Sequence, residues 1–174
     1  MMKKAVFLDR DGVINKAIVK NGKPYPPRDL NSVEILFGVK ASLQALRDAD
    51  WMIIVITNQP DVARGKISKK EVEKINTYMK NTLPIDEFYT CFHDNNDLCE
   101  CRKPKSGALT LAAKNNNIDL NYSYMIGDRW KDIEAGKRAG CKTIFINYFY
   151  QEKQPTDYTF QSKSLSEAVK IILG

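Results

Sequence analysis

Ala5-Val6-Phe7-Leu8-Asp9-Arg10-Asp11-Gly12-Val13 is the stretch that decides the fold of this chain. Ala5 to Leu8 make a short apolar run of the kind that forms a buried strand. The run ends on one carboxylate, a second follows two residues on, and Gly12 closes the turn. Two acids at the C-terminal end of a strand are costly unless something uses them. In open α/β sheets that end faces the crevice where ligands bind. A cation together with a phosphate would explain the pair: the cation offsets one acid, and the other is free to attack or to move a proton. Taken alone, the pair also fits an exposed turn, since Asp and Gly are ordinary turn residues.

Working outward, the same grammar recurs. The run Trp51-Met52-Ile53-Ile54-Val55-Ile56 ends in Thr57-Asn58-Gln59. Tyr122 to Ile126 ends in Gly127-Asp128-Arg129, with Asp132 close behind. Strands are expected at Ala5–Leu8, Met52–Thr57, Glu87–Cys91, Tyr124–Ile126 and Thr143–Asn147. They read as continuous apolar runs, as parallel strands covered on both faces do. Helical spacing falls between them. Val39, Leu43 and Leu46 share one face, and Val72, Ile75 and Met79 share another behind a Ser68/Glu71 capping box. A helix is expected over Ser106–Asn116, another ends near Ala139 before Gly140, and Ser164/Glu167 open the last. Strands alternating with helices predict an α/β, doubly wound, mostly parallel sheet. Asn21 to Asp29 holds three prolines and a glycine and is read as a loop without a regular element.

At 174 residues the chain is expected to form one domain, residues 1–174. Its formal net charge of +6 suits an anionic partner of any kind. The lysines are scattered along presumed helices rather than laid in a stripe with aromatics, which weighs against a nucleic-acid track. No apolar stretch approaches the roughly 18–20 residues that span a bilayer. The few apolar residues after Lys3-Lys4 are too short a run for a secretory signal core, so a cytoplasmic protein is expected. The single histidine excludes a mechanism needing two. No Gly-x-Ser-x-Gly element and no Gly-x-x-x-x-Gly-Lys-Ser/Thr loop is present.

A second cluster is Cys91-Phe92-His93 followed by Cys99-Glu100-Cys101. Three thiols and an imidazole within eleven residues match a closed Cys₃His structural Zn²⁺ site. A disulfide would leave one thiol over, in a compartment that reads as reducing. Redox use of Cys99-x-Cys101 is the alternative. Cys141 lies apart and reads as a small buried side chain.

Three strand-end signals, Asp9-Arg10-Asp11, Thr57-Asn58 and Gly127-Asp128, with the cation of Arg102-Lys103-Pro104 before a probable helix, resemble in their order the haloacid dehalogenase superfamily of phosphatases over nearly the whole chain. The Cys-x-His…Cys-x-Cys-Arg-Lys-Pro arrangement narrows the resemblance. It is that of the subgroup containing D-glycero-D-manno-heptose 1,7-bisphosphate and histidinol-phosphate phosphatases. The resemblance implies a Rossmann-like fold without a cap domain, and a zinc-binding loop. It makes Asp9 the nucleophile and Asp11 the acid/base, with Mg²⁺ on Asp9, Asp128 and the Asp11 carbonyl. Thr57 and Asn58 would meet the phosphoryl oxygens and Lys103 would stand against them. Arg64, Arg102 and Arg129 would hold the rest of the substrate, with the Lys16–Arg28 segment in place of a cap. Asp132 is left with two readings, an orienter of Lys103 or a helix N-terminal carboxylate. The implied activity is removal of the 7-phosphate from heptose 1,7-bisphosphate, by a monomer acting on a small phosphorylated sugar. Histidinol phosphate and polynucleotide 3′-phosphates are the alternatives. A zinc-stabilised nucleic-acid-binding module with a vestigial site is the alternative of another class.

Overall fold

In the computed structural model, which describes residues 1–174, the run before Asp9 is the central strand β1 (Ala5–Leu8). All four of its residues are buried, because helices cover both faces of the sheet. The other strands of that sheet are β4 (Met52–Asn58), β5 (Glu87–Cys91), β6 (Tyr124–Gly127), β7 (Lys142–Ile146) and β8 (Phe160–Ser162). Their order is β5-β4-β1-β6-β7-β8, and every pairing is parallel. The chain builds outward from β1 through β4 to β5, then returns to the other side at β6. That reversal makes a switch point between β1 and β6, where ligands bind such sheets.

The apolar helix faces lie where their spacing puts them. On one side α1 (Val39–Asp48), α2 (Lys69–Thr82) and α5 (Leu165–Leu173) bury Leu43, Leu46, Ile75, Met79 and Val169 against Val6, Leu8 and Val55. On the other, α3 (Gly107–Asn116) and α4 (Trp130–Ala139) bury Leu109, Ala112 and Ala135 against Phe7, Ile54 and Met125. Ser68 and Ser164 cap α2 and α5 as expected, accepting from the Glu71 and Glu167 amides. The glutamates do not return the bond. Glu71 accepts from the Leu30 amide and Glu167 from the Lys163 amide.

The segment read as a loop is partly regular. Ile18–Lys20 (β2) and Lys23–Tyr25 (β3) form an antiparallel hairpin. Its two-residue turn is Asn21-Gly22, both with positive φ, as a type I′ turn requires. Pro24 sits within β3 opposite Val19. Lys20 and Lys23 flank the turn and form the hydrogen-bonded pair, so Pro24 falls at a non-bonded position where its missing N–H costs nothing. The prolines therefore do not exclude a strand here. Between β1 and α1 the chain holds only this hairpin and a single 3₁₀ turn, Leu30–Ser32. No helix is long and apolar enough to cross a membrane.

Candidate active site

Asp9 follows β1 directly, and its amide bonds the Ile126 carbonyl of β6 at 3.0 Å. That bond draws together the C-terminal ends of the two strands that carry Asp9 and Asp128. Carboxylate oxygens of Asp9, Asp128 and Asp132 lie within 4.8 Å of one another, and all three residues are buried. Lys103, 2% exposed, reaches in from the loop before α3. Its Nζ donates to Asp9 Oδ1 at 2.8 Å and to the Ile56 carbonyl at 2.7 Å, and lies 2.7 Å from Asp132 Oδ1.

Three acids around one ammonium leave an excess of negative charge. Burial and the Asp132 carboxylate push Asp9 up to about 6, with Lys103 opposing. Burial and Asp9 raise Asp128 well above the carboxylate range. Burial pulls the Lys103 ammonium down, but Asp132 and Asp9 outweigh it, so it stays protonated. Asp128 Oδ1 is buried with no hydrogen-bond partner. A hard divalent cation that takes oxygen ligands fits both the charge and the unpaired oxygen. Asp9 and Asp128 are the residues placed to hold it, since Asp132 is already committed. Its Oδ1 faces Lys103, and its Oδ2 accepts from the Arg129 amide at 3.0 Å at the start of α4. The two readings left open for Asp132 are thus one arrangement.

Asp11 is anchored separately. Gln59 Nε2 donates to its Oδ2 at 2.8 Å and Asn15 Nδ2 to its Oδ1 at 3.0 Å, and the Arg10 guanidinium lies at 3.2 Å. Gln59 also donates to Thr57 Oγ1 at 2.9 Å, which leaves the threonine proton free to donate. Arg10 is fully buried and ties this turn to Asn76 of α2 at 2.9 Å. The Asn58 side chain does not point at a ligand. It makes a reciprocal pair with the Lys103 backbone, at 3.0 and 3.1 Å.

A cavity of about 380 Å³ opens over Asp9 and Asp11. Arg64, Arg102 and Arg129 all line it, joined by Lys23 of the hairpin and by Lys131. Their charges are not equally available. Arg64 is held by Asp94 at 2.6 Å, and this pair pulls the Asp94 acid down to about 2. Arg129 is gripped by Glu152. Arg102 donates to neutral oxygens, Asn95 Oδ1 at 2.9 Å and the His93 carbonyl at 3.3 Å. Lys131 has no acidic partner; burial and the nearby Arg102 lower its pKa. Trp130 is not among the lining residues and packs instead beneath the Lys153 ammonium, 4.3 Å from its ring centre.

The second cluster also closes. Ligand atoms of Cys91, His93, Cys99 and Cys101 lie within 4.8 Å of one another. Cys91 Sγ is 3.9 Å from Cys99 Sγ, and His93 Nδ1 is 3.5 Å from Cys91 Sγ and 3.3 Å from Cys101 Sγ. Ligands about 2.0–2.3 Å from a tetrahedral zinc would stand roughly 3.5–3.8 Å apart, so the set is of the right size. A redox pair would have no need of the imidazole. Cys141 is buried elsewhere, as expected.

These arrangements have counterparts. A family model described as "HAD-hyrolase-like" matches residues 100–156. A D-glycero-beta-D-manno-heptose-1,7-bisphosphate 7-phosphatase of Pasteurella multocida is 35% identical, across 99% of this chain and 98% of that protein. This chain belongs to the haloacid dehalogenase family of phosphatases. A Campylobacter jejuni relative, 34% identical over 96% of this chain and 94% of its own length, is named for the alpha anomer of the same bisphosphate. Among solved structures, a D,D-heptose 1,7-bisphosphate phosphatase from B. bronchiseptica, complexed with magnesium and phosphate, superposes with a TM-score of 0.85. It is 26% identical and covers 98% of both chains.

Sequence reading of this family member missed Gln59, Asn15, Lys131 and Tyr150. Gln59 was quoted only as part of the Thr57-Asn58-Gln59 motif. Tyr150 follows β7 in the run Tyr148-Phe149-Tyr150, which carries no site signal in the sequence. It is buried, and its hydroxyl donates to Asp128 Oδ2 at 2.9 Å.

Proposed function

We propose that this chain is a Mg²⁺-dependent phosphomonoesterase that removes the 7-phosphate of D-glycero-D-manno-heptose 1,7-bisphosphate through a phosphoryl-Asp9 intermediate. The observation that carries the reading is the Asp9–Lys103–Asp132 chain beside the unpaired Asp128 oxygen, beneath a cavity walled by cations. The names of the full-length relatives supply the substrate.

Asp9 and Asp128, with the Asp11 carbonyl, would hold the Mg²⁺. The ion would supply the positive charge that lets a carboxylate approach a phosphate dianion. Lys103 occupies Asp9 Oδ1, so the other oxygen is the attacking atom. That oxygen forms a bond to phosphorus as the bond from phosphorus to the sugar oxygen breaks. The departing oxygen takes a proton from Asp11. Asp11, now a carboxylate, accepts a proton from the water that attacks the phosphoryl group and releases inorganic phosphate and Asp9. Thr57 and the backbone N–H groups of Asp11 and Asn58 donate to the phosphoryl oxygens, and Lys103 adds charge against them. Gln59, Asn15 and Arg10 keep Asp11 aimed.

The phosphate that is not cleaved needs a cation without a competing acid. Lys131 meets that need, and Arg102, whose nearest acid Asp94 stands 4.0 Å away and is itself held by Arg64, is the next most available; Arg64 and Arg129 are already paired and act as walls. Zn²⁺ on Cys91, His93, Cys99 and Cys101 would pin the loop whose next residues are Arg102 and Lys103. A reducing, cytoplasmic setting keeps such thiolates available. Every group named comes from one sheet and its loops, which suits a single domain acting as a monomer.

A phosphate-release assay over both anomers of the heptose bisphosphate, histidinol phosphate and a 3′-phosphorylated oligonucleotide tests the reading. The expected result is the highest kcat/KM for one heptose bisphosphate, with Mg²⁺ required. Lys131→Ala should cost more with that bisphosphate than with an aryl monophosphate, because the remote contact is lost only in the former. Preference for histidinol phosphate or the oligonucleotide would replace the substrate assignment. Nucleic-acid binding without turnover would replace the activity.

A further inference from the structure

Resting on that reading of the cation site, one side chain bears on which ion the site takes. Tyr150 follows β7 in a segment that folds back over the ends of β1 and β6. The fold-back is fixed from both sides: the Gln151 amide bonds the Gly22 carbonyl in the hairpin turn at 2.8 Å, and Glu152 grips Arg129. Tyr150 is thereby pressed inward and is 9% exposed, while its neighbour Phe149 is 81% exposed. Its hydroxyl has one acceptor, Asp128 Oδ2, at 2.9 Å.

The other side of the same carboxylate is closed by backbone. A methyl group at Gly12 would lie 2.0 Å from Asp128 Oδ2. Oδ2 is thus covered by Gly12 and engaged by Tyr150, while Oδ1 is buried and has no partner at all. The two oxygens of one carboxylate have been given different tasks. We propose that Tyr150 is a positioning residue that makes Asp128 a one-oxygen ligand and so favours Mg²⁺ over Ca²⁺ at this site. Mg²⁺ demands near-octahedral geometry at short distances and takes single carboxylate oxygens. Ca²⁺ accepts both oxygens of a carboxylate at longer distances and more ligands overall. A hydroxyl that holds Oδ2 and fixes the carboxylate plane suits the first ion and handicaps the second. Groups that orient a metal's ligands change affinity by about 10–100-fold when removed.

Tyr150→Phe removes the hydroxyl and keeps the ring that packs beside Tyr148, with centres 5.6 Å apart. Mn²⁺ binding to the full chain, followed by electron paramagnetic resonance with Mg²⁺ or Ca²⁺ as competitor, reads the site without turnover. Metal-free melting temperature is measured alongside. The expected result is an unchanged melting temperature, about ten-fold or greater loss of Mg²⁺ affinity, and a smaller loss or a gain for Ca²⁺. Unchanged affinities, or equal losses for both ions, overturn the proposal. Asp128→Asn separates this from the cation-site reading: if that variant binds Mn²⁺ as the parent does, the site itself is misassigned.

Discussion

Lys103 is the residue on which most of the site converges. It is buried among Asp9, Asp132 and the Ile56 carbonyl, and its own backbone is clamped by Asn58. Removing it leaves two buried carboxylates facing each other without compensation. Lys103→Met should therefore destabilise the fold by about 3–5 kcal/mol and abolish turnover. Denaturant unfolding and phosphate release on the same preparation check both; a variant as stable as the parent would mean that the ammonium does not offset the acids. Acids at strand ends, and a lysine just before a helix in the same order along the chain, are legible in the sequence because charges at those places have few structural reasons to exist. Asp9, Asp11, Asp128 and Lys103 were read that way, and the structure brings them together. Tyr150 and Lys131 were not legible. A tyrosine after a strand and a lysine in the first turn of a helix are ordinary, and only the fold shows that one meets Asp128 and the other lacks an acid.

The loops that complete the site are held by elements of different kinds. The cysteine cluster closes its loop through side chains, and Cys101 lies two residues before Lys103. Cys99→Ser should lower zinc content and melting temperature together, and weaken activity by loosening the lysine. Metal analysis of protein purified without chelator, set beside a thermal melt, tests this. Zinc-free protein with cysteine variants as stable as the parent would remove the metal from the account. The hairpin β2–β3 is held by backbone geometry instead. Its turn, Asn21-Gly22, is the available signal, and the three prolines and the glycine of Asn21 to Asp29, read together as a loop, mask it. An isolated two-stranded ribbon has no alternating apolar face to announce it. β8 was passed over for a related reason: Phe160-Gln161-Ser162 is three residues long at the sheet edge and two of them are exposed. The long buried strands and the two serine-capped helices were read correctly because burial on both faces, or on one helical stripe, writes itself into the apolar pattern.

Across the whole molecule, charge is sorted by place. Asp9, Asp128 and Asp132 gather at the ends of β1 and β6 and the start of α4, and five further cations, two of them paired with Asp94 and Glu152, line the cavity over Asp9. A ligand with a phosphate at each end satisfies both zones, one phosphate on the floor and one among Arg102 and Lys131. The overall +6 charge is thus less informative than its distribution. The most direct measurement follows both phosphorus signals of D-glycero-D-manno-heptose 1,7-bisphosphate by ³¹P NMR with the purified protein and Mg²⁺. The expected result is loss of the 7-phosphate signal as inorganic phosphate appears, with the 1-phosphate retained, and no change with Asp9→Asn. Release of the 1-phosphate, release that persists in Asp9→Asn, or no release from either anomer would contradict the account.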